Sequence, residues 1–204
     1  MKGIEIDFRQ VIEKRRTTRQ FKSEPVSRET IERIIKAGLM APSFDHCRKW
    51  NFIVLTDPVS KSAAIECIEP LPCATKEAST PVAQMIKIAF PRQKSMFEEA
   101  PVLVLPLYKR DKRIINEPVP RTHMDTAEMW CVIENIFLAA TDEGLSCAMR
   151  IPTEGQPEKI LAAVGCAEDF ILPCMIGIGV PADNAEYPTQ KYPALEDCIH
   201  WEKW

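Results

Sequence analysis

The sequence predicts a mixed fold in which helices and buried strands share one core. Three observations carry this. Apolar residues recur at helical spacing at Ile31, Ile34, Ile35 and Leu39, and again at Met129, Val132, Ile133, Ile136, Phe137 and Ala140. The run Val102–Tyr108 is apolar almost throughout, as expected of a strand covered on both faces. A second apolar run, Leu172–Val180, carries Gly177 and Gly179. With 204 residues, 46% of them hydrophobic, the chain can bury a substantial core and reads as one domain, 1–204. No internal repeat, low-complexity tract or composition break marks a second.

The elements follow in order. Ile4, Phe8, Val11 and Ile12 predict a helix over 4–15. Ser27 caps a second helix with Glu29 in its first turn, and Pro42 closes it off. Asn51–Thr56 reads as a strand, and Asp57-Pro58 opens a helix with a capping carboxylate and a proline at the first helical position. Residues 66–100 hold four prolines and suggest short helices and loops over a site. A basic, proline-rich loop spans 109–121. The longest helix is expected over 125–143, with a wide apolar face and Gly144 at its end. Ser146–Ile151 reads as a strand. Thr153-Glu154-Gly155-Gln156 matches a capping box, with Pro157 early in a helix to about Val164. The tail from Asp183 to Trp204 is polar and aromatic.

Composition excludes several functions. A net charge of −3 gives no general basic field for nucleic acid. No apolar run reaches the roughly 18 residues of a membrane span, and the first residues lack the apolar core of a signal peptide. A cytoplasmic protein is expected. The eight cysteines contain no C-x-x-C pair and are read as reduced thiols, Cys131 and Cys174 among apolar neighbours. Only three histidines occur, without H-x-x-x-H spacing, so no metal is expected.

Against this background one cluster stands out: Lys14-Arg15-Arg16-Thr17-Thr18-Arg19-Gln20-Phe21, where four cations surround two hydroxyls. Guanidinium groups and hydroxyls together can cradle one phosphate. A solvated helix end with favourable basic residues is the competing reading.

Residues 15–21 match the pattern R-[RH]-[ST]-x-[RK]-x-[FY] and so resemble the nitroreductase family of FMN-dependent oxidoreductases. Three further segments support the resemblance. Ala41-Pro42-Ser43 through Trp50-Asn51-Phe52 is similar to the family's P-S-x-x-N-x-Q-P-W stretch, with His46, Arg48 and Lys49 in place of Asn, Gln and Pro. Ala139–Cys147 is similar to L-A-A-x-x-x-G-L-G-[ST]. Ile176–Ala182 and Lys191–Asp197 are similar to the family's C-terminal G-Y-P-A and K-x-R-x-P-L-E-E segments.

The resemblance implies an α+β fold, a mostly antiparallel central sheet wrapped by helices, with a C-terminal extension exchanged in a homodimer and FMN at the interface. It implies that Arg15 and Thr17 hold the FMN phosphate, that Arg16 belongs to the same cofactor-binding cluster and that Arg19 lies nearer the ring. Pro42, Ser43 and His46 would meet the flavin across the dimer interface, and a backbone N–H near Ile151 would face flavin N5. Lys191 would meet the phosphate; an ordinary exposed lysine is the alternative. Arg92, Gln93 and Lys94 are candidates for the ring edge, with no register to choose among them. The implied reaction is ping-pong: NADH or NADPH gives hydride to the flavin, then an electron-poor small molecule takes it. No catalytic side chain is required, because the chemistry resides on the cofactor. Dehalogenation or flavin fragmentation on the same fold, a flavin-storage protein, and a different phosphorylated ligand remain alternatives. His46 and Arg48 could recognise an anionic substrate, or be incidental surface charge.

Overall fold

Side-chain alternation along one strand divides the core in two. In the computed structural model, which describes residues 7–43, 46–69, 79–109, 124–167 and 169–204, that strand is β2, Val102–Lys109. Val102, Val104 and Tyr108 face a layer containing helices α2 (Arg28–Gly38) and α6 (Met124–Asp142). Leu103, Leu105 and Leu107 face the opposite layer, which holds α3 (Pro58–Glu66), α5 (Ser95–Glu99) and α7 (Gln156–Ala163). Seven of the eight β2 residues are buried, as expected for a strand sandwiched between helical layers.

The sheet order is β1-β2-β5-β3, with β1 at Trp50–Leu55, β3 at Ser146–Arg150 and β5 at Met175–Gly179. A short β4, Phe170–Ile171, pairs with the end of β2. All these ladders are antiparallel. The α+β architecture expected from the sequence is therefore present.

Local chemistry sets the helix boundaries. The Ser27 side chain accepts from the Thr30 N–H at 3.2 Å, and Asp57 accepts from the Ser60 N–H at 2.8 Å with Pro58 in the first turn. Thr80 likewise caps α4, Pro81–Ala89, at the Ala83 N–H. The six stripe residues of α6 from Met129 to Ala140 are all buried, and Gly144 closes the helix at φ +75°. Helix α1 runs over Phe8–Lys14. The expected helix residues before 7, and the basic loop from 110 to 121, lie outside the described residues.

Four local expectations need correction. Leu39 lies past the end of α2 and is 41% exposed; Gly38 ends the buried stripe instead, because a Cβ there would come 2.8 Å from Ile136 Cγ1. Cys131 is on the outer face of α6 and exposed, although Cys174 is buried as expected. The capping box before α7 is half made: the Gln156 side chain accepts from the Thr153 N–H, but Gly155, at φ +77°, occupies the cap position and Thr153 does not cap. The last long strand begins at Met175, after Pro173. Among the described residues no helix is long and apolar enough to cross a membrane.

Candidate functional site

The basic segment leaves α1 at Arg15, whose extended backbone turns the chain out of the helix. It then lies on the free edge of β3. Thr17 sits beside Cys147, and the Thr18 N–H donates to the Cys147 carbonyl at 2.9 Å. The segment continues to the end of β5, where Phe21 is beside Pro181 and the Lys22 N–H donates to the Val180 carbonyl at 2.9 Å. Phe21 is buried, and its N–H donates to Glu99.

Extended backbone sends alternate side chains to opposite sides. Thr18 and Gln20 both meet the C-terminal tail: the Thr18 hydroxyl bonds the Tyr187 hydroxyl at 3.1 Å, and Gln20 Oε1 accepts from the Glu186 N–H at 2.9 Å. Arg15, Thr17 and Arg19 share the other parity. The two hydroxyls of the cluster thus have different tasks. Thr18 is fully buried in structure, while Thr17 remains half-exposed.

The electrostatics of this edge are one-sided. Among the described residues Arg15 has only a long contact to Glu134 on α6, at 3.6 Å with the carboxylate more than half exposed. Arg16 and Arg19 form no ion pair among the described residues. Arg19 Nε is buried with no hydrogen-bond partner, and burial pulls the guanidinium below its ordinary pKa. A buried guanidinium donor without an acceptor is costly, and an anion at this edge would relieve it. Beneath the cluster, burial raises the pKa of the Cys147 thiol, so it stays protonated and neutral. Among the described residues no group of His, Cys, Asp and Glu could hold a metal.

The other candidates lie elsewhere. Pro42, Ser43 and His46 belong to the turn between α2 and β1. The Ser43 hydroxyl accepts from the Arg48 N–H at 2.9 Å, and His46 and Arg48 adopt left-handed backbone at φ +53° and +41°. Strain of this kind on non-glycine residues must be held by its surroundings. Where this turn enters β1, Trp50 is remote from Cys147, the neighbour of Thr17, within one chain. β1 and β3 are opposite edges of the sheet path, with Trp50 level with Tyr108 and Cys147 level with Ile178 and Val102. Those rows are about 20 Å apart along the strands and about 14 Å across them. Lys191 is exposed on the tail, four residues past Tyr187.

Ile151 follows directly on β3, on the same edge as Thr17. Its side chain is 59% exposed, and no main-chain acceptor among the described residues takes its N–H. The neighbouring Arg150 is only 3% exposed and was not singled out by its sequence context. Its guanidinium donates to Gln93 Oε1 at 3.0 Å, Gln156 Oε1 at 2.6 Å and the Glu69 carbonyl at 3.2 Å. Burial lowers its pKa, with the Glu69 charge opposing. Gln93 is thereby committed to Arg150, while Arg92 pairs with Glu99 at 3.6 Å.

The comparisons with known proteins agree with this architecture. The model of the nitroreductase family matches residues 12–180, and the chain belongs to that family. Iodotyrosine deiodinase of Nematostella vectensis is 27% identical over 203 residues, covering 98% of this chain and 76% of the relative. An NADH dehydrogenase of Thermus thermophilus is 22% identical, with 96% of each chain covered. Among solved structures, oxidized iodotyrosine deiodinase bound to FMN and 3-iodo-L-tyrosine superposes with a TM-score of 0.74 at 21% identity, over 97% of this chain and 100% of that one.

Proposed function

We propose that the chain is an FMN-dependent oxidoreductase that uses NADH or NADPH to reduce an electron-poor small molecule such as a nitroaromatic or a quinone. The observation that carries this reading is the β3 edge, where among the described residues Arg16 and Arg19 lack carboxylate partners and Arg19 Nε is buried and unbonded. Such a donor set fits the phosphate of FMN. Arg15 and Thr17 would hold that phosphate, with charge-assisted bonds each worth about 1.5–3 kcal/mol, and Arg16, on the alternate parity, would add its charge to the cofactor site. Arg19, half-buried beside them, would reach the ring side, where a cation favours a reduced, negatively charged flavin. Bound there, FMN supplies a two-electron carrier between the nicotinamide and the acceptor. The chain itself binds, orients and sets the local field.

The second half of the site would come from another copy of the chain. The turn holding Pro42, Ser43 and His46 leads into Trp50, which stands diagonally across the sheet from Cys147 beside Thr17, and this supports reading the three as lining the ligand held by a partner copy. Exposed apolar residues fit a dimer: Phe8 and Ile12 on α1, Met40 after α2, and Tyr192, Leu195 and Trp201 on the tail. Lys191 would close on the phosphate once that tail is packed. One domain spanning 1–204, acting in the cytoplasm, completes the reading.

Reductive dehalogenation is a second reading, favoured by the similarity to iodotyrosine deiodinase over nearly the whole chain. One assay separates the two. Holoprotein mixed anaerobically with NADH or NADPH should lose its flavin absorbance and regain it with a nitroaromatic or quinone. Iodide release from an iodinated phenol by chemically reduced protein, without bleaching by either nicotinamide, would favour dehalogenation. A flavin band that no reductant bleaches would contradict both and leave flavin storage.

A further inference from the structure

Between β3 and α7 the chain makes a short, tightly specified turn. Gln156, 1% exposed, places one oxygen between two donors: Oε1 accepts from Arg150 Nη1 at 2.6 Å and from the Thr153 N–H at 3.2 Å. The Gln156 N–H donates in turn to the Thr153 carbonyl at 3.0 Å. These bonds bracket Ile151 and Pro152 from both sides. Pro152 has no N–H, the Thr153 N–H is taken, and Arg150 lies within the β3–β5 ladder opposite Met175. Ile151, Glu154 and Gly155 are left as donors of this turn with nothing to bond among the described residues, and of the three Ile151 alone adjoins β3.

Arg150 anchors the arrangement. Its three hydrogen-bond acceptors are two amides and a carbonyl, and no carboxylate of the described residues comes within ion-pair distance. A buried guanidinium with no directly bonded anion is a poor device for stability alone, because the Glu69 charge offsets its desolvation only in part. It is a good device for fixing a side-chain amide. The planar fork fixes Gln156 in position, and Gln156 fixes the turn.

We propose that Gln156, anchored by Arg150, is the positioning residue that holds the Ile151 N–H outward as the donor facing flavin N5. This rests on the FMN reading above, and it adds the reason why a backbone donor at this point can be rigid. Supporting residues of this type matter because a donor displaced by about 1 Å can cost a hundredfold in rate.

The test uses 15N-labelled protein titrated with FMN. In the wild type the Ile151 amide resonance should shift and its hydrogen exchange should slow on FMN addition. Gln156→Ala should bind FMN within about threefold of wild type, yet lose the Ile151 response and at least about tenfold in the rate of flavin reduction by nicotinamide. Gln156→Glu keeps an acceptor oxygen for both donors and should restore the amide response. If Gln156→Ala does not fold, Gln93→Ala removes one of the Arg150 acceptors at the rim and should weaken the same response. A wild-type holoprotein whose Ile151 amide ignores FMN, or a Gln156→Ala or Gln93→Ala protein with the full wild-type response, overturns the proposal while leaving FMN binding standing. Absence of FMN binding by the wild type overturns both.

Discussion

The hydroxyls of Thr18 and Tyr187, 169 residues apart, share a 3.1 Å hydrogen bond. It fastens the C-terminal tail to the basic segment at the point where that segment crosses from β3 toward β5. Thr18 is fully buried, so its hydroxyl would have no acceptor or donor if the tyrosine oxygen were removed. Tyr187→Phe should therefore cost about 1–2 kcal/mol in denaturant unfolding. It should also loosen the tail, read as faster hydrogen exchange at Glu186, whose N–H bonds the adjacent Gln20. Unchanged stability and exchange would mean that the tail is held elsewhere.

Gly179 gives the basic segment its seat. A Cβ at this position would lie 2.5 Å from Pro101 Cδ and 3.1 Å from Phe21 Cδ1. Neither the proline ring nor the buried phenylalanine can retreat without moving backbone. Gly179→Ala should destabilise by about 1–3 kcal/mol. Because Phe21 is pushed, FMN affinity should fall with it. An alanine variant as stable as wild type would refute the tight approach.

Acid should weaken the junction of α2 with the end of α6. Arg33 donates to both oxygens of Glu143, at 2.6 and 2.8 Å, and this hydrogen bonding holds the Glu143 carboxyl below its ordinary value of 4.5. A carboxyl depressed in the folded state stabilises above its unfolded pKa. That contribution is lost as pH falls through the lower folded value. Thermal midpoints should therefore drop below about pH 4.5 less steeply in Glu143→Gln than in wild type. Identical slopes would mean that the pair contributes nothing.

Much of this was legible where one residue imposes one geometry. Ser27 and Asp57-Pro58 announced α2 and α3, and the unbroken apolar run of β2 announced a strand covered on both faces. The Arg15–Phe21 cluster is visible as a sequence pattern and the Ile151 turn by its offset from the family's segment, and both lie on one sheet edge. What escaped depends on tertiary neighbours. A two-residue strand such as Phe170–Ile171 has no period to detect. The burial of Arg150 needs Gln93, Gln156 and Glu69 brought together from three segments. Cys131 has apolar sequence neighbours but lies on the outer face of α6, so its exposure follows from helix rotation. The diagonal separation of Trp50 from the edge that carries Thr17 follows from which strands form the sheet edges, and local spacing carries no trace of that.

The central claim is that the Arg15–Arg19 segment holds the phosphate of FMN, and the most direct measurement compares FMN with riboflavin, which differs by that phosphate alone. Fluorescence titration of the apoprotein should give FMN an affinity at least about 100-fold higher, from two or more charge-assisted bonds. Arg15→Ala should narrow the gap by lowering FMN affinity while leaving that for riboflavin unchanged. Equal affinity for the two flavins, or an Arg15→Ala protein that binds FMN as the wild type does, would contradict the account.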